Sequence, residues 1–287
     1  MDSQLKHKES SFWVCAGLDR TSERIWVTDY EVADPAALRA YLIQLAFKEG
    51  LDKIILPARP EDLDRLQGDG FKLEGTIDGY FQGRDGHFLA AFPRAGRSRS
   101  LAPSHQRKML TEIRGRKSFP PVKLPPGFTL SRAGTRDISS MVDLFRHVFA
   151  SYPTPVDDPA YLASSIEKGD LFMVVYHGRR LVSVAAAEIG PLRQRAELTN
   201  CATDPDFRGM GLNTLLLEQI EGACLDAQVG CLYSLARASS YGMNLVFHRL
   251  GYQFRGTMIN NCHIAGRFED MNIWVRPAAK HTCCAIS

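Results

Sequence analysis

The 287-residue chain has no Cys-x-x-Cys pair, no histidines at metal-ligand spacing, and no apolar run approaching the roughly 20 residues of a membrane-crossing helix. These absences argue against a zinc module and a bilayer-spanning segment. Seven cysteines (15, 201, 224, 231, 262, 283 and 284) are an odd number, and they fit buried free thiols better than a disulfide framework. Charge of one sign is also scarce: a net +3 is too mild for a chain whose main partner is nucleic acid. The opening MDSQLKHKESSFWV lacks the apolar core of a signal peptide, so the expected location is the cytoplasm. The last four residues, Cys284 to Ser287, match the C-a-a-X prenylation pattern by residue type, although a frayed tail is the plainer reading.

At 45% hydrophobic the chain can bury one large or two ordinary cores, and two small domains are the default. Four regions are expected: an amino-terminal domain over 1–93, a basic and proline-rich linker over 94–126, a larger domain over 127–277, and a tail over 278–287. The linker carries eight basic residues between Arg94 and Lys117 against Glu112 alone, then four prolines. It reads as a solvated connector with a short helix near 104–114.

Beyond it the apolar period alternates between 2 and 3.6, the mark of α/β structure. Strands are predicted at 128–133, 171–176, 181–188, 196–203, 231–236, 254–260 and 271–275, and helices at 137–150, 159–168, 212–227 and 240–250. An internal repeat is legible: GFKLEGTI at 70–77 mirrors GYQFRGTM at 251–258, with similar elements around both copies. Between the first copy's strand at 25–28 and its helix at 35–48 there is no glycine-bearing loop. That half is therefore expected to bind no cofactor and to pack against the other half or wall its substrate site.

Residues 203–212, TDPDFRGMGL, leave a strand and open a helix with apolar positions at helical spacing. Glycines let successive N–H groups converge, and the helix terminus adds its positive dipole end, so such a turn can hold a pyrophosphate. The string R-G-M-G-L-N at 208–213 resembles the signature of the GNAT superfamily of N-acetyltransferases, departing from it at Asn213, where a small residue is usual. The resemblance spans about 128–277. It implies a mixed central sheet that splays open to admit the pantetheine arm of acetyl-CoA; the internal repeat then makes the first half a smaller, truncated GNAT-like domain, and the spacing of His and Cys leaves no metal expected. Cofactor contacts are then expected from Cys201, Ala202, Thr203, Arg208, Gly209, Met210, Gly211, Leu212 and Asn213, with Ser240 and Asn244 opening the next helix.

Acetyl transfer to an amine needs a base, because an alkyl ammonium of pKa about 10.4 is neutral in only about one molecule in a few thousand at pH 7. Glu197, on the strand before the loop, has the spacing of the catalytic glutamate in GNAT histone acetyltransferases. Its alternatives are a solvent-facing residue or a partner of Arg193 or Arg195. Phe247 stands where many members place the tyrosine that protonates the leaving thiolate, which leaves Tyr233, Tyr241 or His248 as substitutes.

Further strings, ELTNCATDP at 197–205, ARASSYGMN at 236–244, GTMINN at 256–261 and MNIW at 271–274, resemble the bacterial and archaeal beta-lysine N-acetyltransferases over most of the chain. That resemblance implies acetylation of the terminal amine of beta-lysine to N6-acetyl-beta-lysine, a compatible solute made for osmoadaptation, in partnership with a lysine 2,3-aminomutase. Glu188, Asn200, Asn260 and Asn272, with Asn261, are the expected substrate-binding residues. Lysine, another diamine or a protein amine are the alternative substrates, and a CoA-binding regulatory module is the non-enzymatic alternative. A homodimer is left open.

Overall fold

A computed structural model describes residues 3–190 and 194–277. The tail at 278–287, including the C-a-a-X match, lies outside the described residues, as does Arg193.

The amino-terminal half comprises β1 (Ser3–Lys8), β2 (Phe12–Asp19), β3 (Arg24–Val32), α1 (Pro35–Glu49), β4 (Lys53–Ala58), α2 (Leu63–Gly68), β5 (Lys72–Phe81) and β6 (Arg84–Ala91). A helix, α3 (Pro103–Gly115), lies in the connecting segment. The second half comprises β7 (Phe128–Arg132), α4 (Ile138–Val148), α5 (Pro159–Lys168), β8 (Leu171–His177), β9 (Arg180–Ile189), β10 (Arg195–Thr203), α6 (Leu212–Asp226), β11 (Cys231–Arg237), α7 (Tyr241–Arg249), β12 (Gln253–Ile264) and β13 (Arg267–Val275). All thirteen strands form one mixed sheet in the order β1-β2-β3-β4-β6-β5-β12-β13-β11-β10-β9-β8-β7.

The order β2-β3-β4-β6-β5 repeats as β9-β10-β11-β13-β12, with α1 and α6, then α2 and α7, at matching places. Irregularities repeat too. The register shift before Gly75 in β5 recurs before Gly256 in β12, and a second shift after Ile77 recurs after Met258. β3 pairs β4 in parallel over three residues only, Arg24 to Trp26, as β10 pairs β11 over Arg195 to Glu197. The halves therefore meet about a pseudo-twofold axis, at the one bridging pair Gly256 and Gly75.

That contact is backbone on backbone: a Cβ on Gly256 would lie 2.2 Å from the Glu74 carbonyl oxygen, and one on Gly75 would lie 2.7 Å from that of Arg255. Gly256 also holds φ at 147°, where side chains are strained. Gly256→Ala should therefore push β5 and β12 apart and cost about 1–3 kcal/mol, read as a lower urea midpoint. An unchanged midpoint would mean that the junction yields freely.

Around the glycines, Lys53 Nζ donates to Glu74 Oε2 and to the Ile259 carbonyl, both at 2.7 Å, while the Ile259 amide donates to Glu74 Oε1 at 2.8 Å. Apolar residues of both halves, among them Ile55, Ile77, Phe88, Tyr233, Met258 and Ile273, share a buried cluster. The helices cover separate cores, α1 over the first half and α6 with α7 over the second.

The segment 94–126 is largely solvated, with Arg94, Arg99, Arg107, Lys108, Arg114, Arg116 and Lys117 exposed, but it is pinned to the fold at a few points. Arg97 is buried, donates to the backbone oxygens of Ser22 and Asn260, and lies 3.5 Å from the Phe268 ring centroid. Met109 and Ile113 bury the inner face of α3, which packs on α7, and Val122 sits against Gly211. Met109 and Ile113, at i and i+4, form the one apolar stripe of α3, and its basic residues stay on the solvent side.

Candidate active site

β10 and β11 diverge after Glu197, so on that side the main chain of 198–203 has no strand partner. The divergence is built into β10: its register against β9 shifts between Thr199 and Ala202, and Asn200 takes φ 51°. A bulge of this kind bends the strand and turns it from its neighbour. Between the splayed strands lies a slot of about 70 Å³, lined by residues 198–201, 234–237, Met243 and Phe247. Asn200 donates from Nδ2 to Glu188 Oε1 at 3.0 Å, and its buried Oδ1 has no hydrogen-bond partner.

Beyond β10 the chain turns at 205–209 into α6. Asp204 accepts from the Asp206 amide at 3.1 Å and pairs with Arg180, and Arg208 Nε donates to the Thr203 carbonyl at 3.2 Å, so the turn is held from below. Gly209 and Gly211 take φ 80° and 76°, and the first turn of α6 has no side-chain cap. Its amides are free to meet an anion. The Asn213 side chain turns away from the loop: its Oδ1 accepts from Ser183 at 3.3 Å and its Nδ2 reaches Met243 Sδ at 3.6 Å, so the amide is spent against β9 and α7. In the first half the matching site is filled, because Asp34 caps α1 by accepting from the Ala36 and Ala37 amides. The residues present thus fit a thin amide-bearing arm in the slot and a pyrophosphate at α6. Among the described residues no group of three or more His, Cys, Asp or Glu could hold a metal ion.

The slot meets a larger cavity of about 520 Å³, and Tyr152, Thr199, Leu235, Ile264 and Met271 line both. The larger cavity is walled by Arg24, Trp26 and Thr28 of β3 as well as by Arg195, Glu197 and Thr199 of β10. Seven strand spacings separate β3 from β10 in the sheet order, about 33 Å if flat. The sheet must therefore curl, and the two halves face each other across the pocket. The pseudo-twofold axis sets Trp26 of the first half as the counterpart of Glu197.

Four carboxylates line the cavity: Asp19, Asp170, Glu188 and Glu197. Glu197 stands directly opposite Glu188 on one neighbouring strand and Tyr233 on the other. Burial, with a contribution from the Glu188 charge, pushes the Glu197 carboxyl up to about 8, against a hydrogen bond with Tyr233 that pulls it down. Burial raises Glu188 as well, opposed by its bond with Asn200. Burial holds Tyr233 well above the ordinary tyrosine range, and the Glu197 charge adds to this. Such a pair can exchange a proton with a bound amine near neutral pH. Glu197 forms no ion pair with Arg195 among the described residues. The Cys201 thiol is raised by burial to about 12 and stays protonated.

Several sequence-based expectations are corrected. Asn244 is fully buried: its Nδ2 donates to the Arg237 and Ser240 carbonyls, and its Oδ1 accepts from Asn272 and Trp274. It has nothing left for a cofactor. Asn272 is spent on Asn244 and Thr257, and Asn260 donates to the Arg97 and Arg99 carbonyls, so neither lines the cavity, nor does Asn261, which is buried beside Cys262. Asn200 faces the slot rather than the cavity. Ser240 caps α7, accepting from the Met243 amide. Ala202 packs in the core with α4, and the Thr203 hydroxyl shares a 2.7 Å hydrogen bond with Ser183, so both could serve a ligand only through main chain. Tyr241 and His248 lie on the outer side, bonded to Glu112 and to the Arg116 carbonyl. Sequence reasoning missed Tyr152, Tyr161, Tyr80, Arg24 and Asp170. An aromatic in the proline-bearing stretch SYPTP at 151–155 was the one local signal.

A strand splay, a glycine turn feeding a helix and a buried carboxylate at their junction define the class of N-acetyltransferases that draw on acetyl-CoA. The model of the Acetyltransferase (GNAT) family matches residues 138–252. The chain is 35% identical to N-acetyltransferase YodP of Bacillus subtilis over 260 residues, covering 90% of this chain and 94% of that protein. It is 32% identical over 253 residues to the Beta-lysine N(6)-acetyltransferase of Methanosarcina mazei, covering 81% of this chain and 93% of that protein. With the protein of the same name from Methanococcus maripaludis it shares 26% over 243 residues, 85% of this chain and 89% of that one. This chain belongs to the GNAT acetyltransferase family, and it is an acetyl-CoA-dependent N-acetyltransferase.

Proposed function

We propose that this enzyme acetylates the terminal amine of beta-lysine, giving N6-acetyl-beta-lysine, from substrate supplied by a lysine 2,3-aminomutase. The observation that carries the reading is the cavity itself: about 520 Å³, walled by both halves, with four carboxylates against two arginines. That size suits a small ligand, and that charge suits one with more ammonium than carboxylate groups. The likeness to two proteins named as beta-lysine acetyltransferases supports the same choice.

Acetyl-CoA supplies the activated acetyl group, with the main chain of 198–203, Arg208 to Asn213 and the α6 amides as the residues that would hold it. Glu197 takes the proton from the substrate ammonium, directly or through a water. Tyr233, hydrogen-bonded to Glu197, keeps a proton available for the departing sulfur. Glu188 and Asp170 add negative charge that draws the cationic substrate in. The first half binds no cofactor, since Asp34 already occupies the amides of α1.

A mass-spectrometric screen with beta-lysine, lysine, simple diamines and peptides tests this. Beta-lysine should show the highest kcat/KM. Peptide acetylation without turnover of any free diamino acid would overturn the reading.

A further inference from the structure

The pseudo-twofold axis makes the two arginines of the cavity counterparts, Arg24 heading the short pairing of β3 with β4 and Arg195 that of β10 with β11. Their surroundings differ. Arg24 gives Nε to Asp19 at 2.8 Å and Nη1 to the Asn261 carbonyl at 3.0 Å and Cys262 Sγ at 3.3 Å, which makes it an ion-paired strut between the halves. Arg195 makes no ion pair among the described residues. It donates to the Tyr80 carbonyl over a long 3.4 Å, its guanidinium lies 4.0 Å from the Tyr80 ring centroid, and by charge and hydrogen bond it opposes the burial that raises the Tyr80 hydroxyl. A guanidinium held over an aromatic ring is oriented by it while its N–H fork stays available, and that fork matches a carboxylate.

We propose that Arg195 is the receptor for a carboxylate on the substrate, with Tyr80 of the first half as its positioning residue, so that the enzyme selects diamino acids over simple diamines. The inference rests on the small-amine reading above. Arg195 and Glu197 are two residues apart on one face of β10, about 7 Å along the strand. A six-carbon diamino acid extended between them spans a similar length from its terminal nitrogen to its carboxyl carbon. Asp170 stands in the same corner, for it accepts from the Ile189 amide while the next amide, of Gly190, donates to the Arg195 carbonyl. It is placed to meet the second ammonium, beside the carboxylate.

The test is the ratio of kcat/KM for 3,6-diaminohexanoate to that for 1,4-diaminopentane, the same chain without its carboxyl group. Arg195→Gln should lower this ratio about 10- to 100-fold, the usual weight of a charged hydrogen-bonded contact, and Arg195→Lys should lower it less. Tyr80→Leu should lower it too, while Arg24→Gln should leave it near the wild-type value. Because the readout is a ratio, a general loss of folding or activity cancels. Equal losses on both substrates in Arg195→Gln, or a drop confined to Arg24→Gln, would overturn the proposal. Wild-type protein that acetylates neither compound would overturn the substrate reading itself, and it would do so before any variant is made.

Discussion

Glu197→Gln should lower kcat about 10²- to 10⁴-fold, the range a positioned general base contributes, with little change in acetyl-CoA binding. The amide keeps the shape and the neighbour Tyr233 but cannot take the ammonium proton. The pH dependence sharpens the expectation. Burial lifts the Glu197 carboxyl to about 8, and only the ionised form is a base, so kcat/KM should climb with pH through about 8 and then level off. Glu188, directly opposite on β9, contributes to that lift by its charge. Glu188→Gln should therefore move the rising limb to lower pH. Rates above a tenth of wild type in Glu197→Gln, with the limb in place, would show that the proton leaves by another route.

Breaking the buried Lys53 and Glu74 pair should destabilise the fold by about 3–5 kcal/mol, read from urea unfolding. Both side chains are at most 5% exposed, and together with Ile259 they bind β4 and β5 of the first half to β12 of the second. In Glu74→Gln an ammonium stays in an apolar junction without its counter-charge. In Lys53→Met a carboxylate does. The double variant should lose less than the two single losses added together, because neither charge is then stranded. Burial lowers Lys53 to about 8, opposed by Glu74. The sign follows: between about 8 and the unfolded value near 10.4 the unfolded chain holds a proton that the folded one has released, so this group adds stability as pH rises through that window. Lys53→Met should remove the rise. Single variants within 1 kcal/mol of wild type would mean that the junction draws its strength from the shared apolar cluster alone.

Local chemistry made some features of this chain easy to read. The turn at 208–213 needs only a strand, two glycines and a helix in succession, and it forms where the sequence implies. Glu197 was singled out by its spacing along the same strand, and it lies at the splay, lining the cavity. The repeat at 70–77 and 251–258 was visible because both copies carry the same turn residues, and the structure brings those copies together at Gly75 and Gly256. The asparagines are the instructive failures. Asn244 lies in α7 and Asn260 and Asn272 lie within β12 and β13, where their amides satisfy buried backbone or one another. A sequence does not say which carbonyls will be stranded without them.

What the sequence by itself determined is therefore the chemistry close to one strand and its following turn: an acetyl-CoA enzyme of the GNAT class, with Glu197 beside the splay. What only the tertiary structure decided is the substrate side. Tyr80 meets Arg195, and Trp26 comes to share a wall with Glu197, because a thirteen-stranded sheet curls about a glycine pair. That curvature arises from bulges and twist accumulated over many strands, and no local stretch of sequence encodes it.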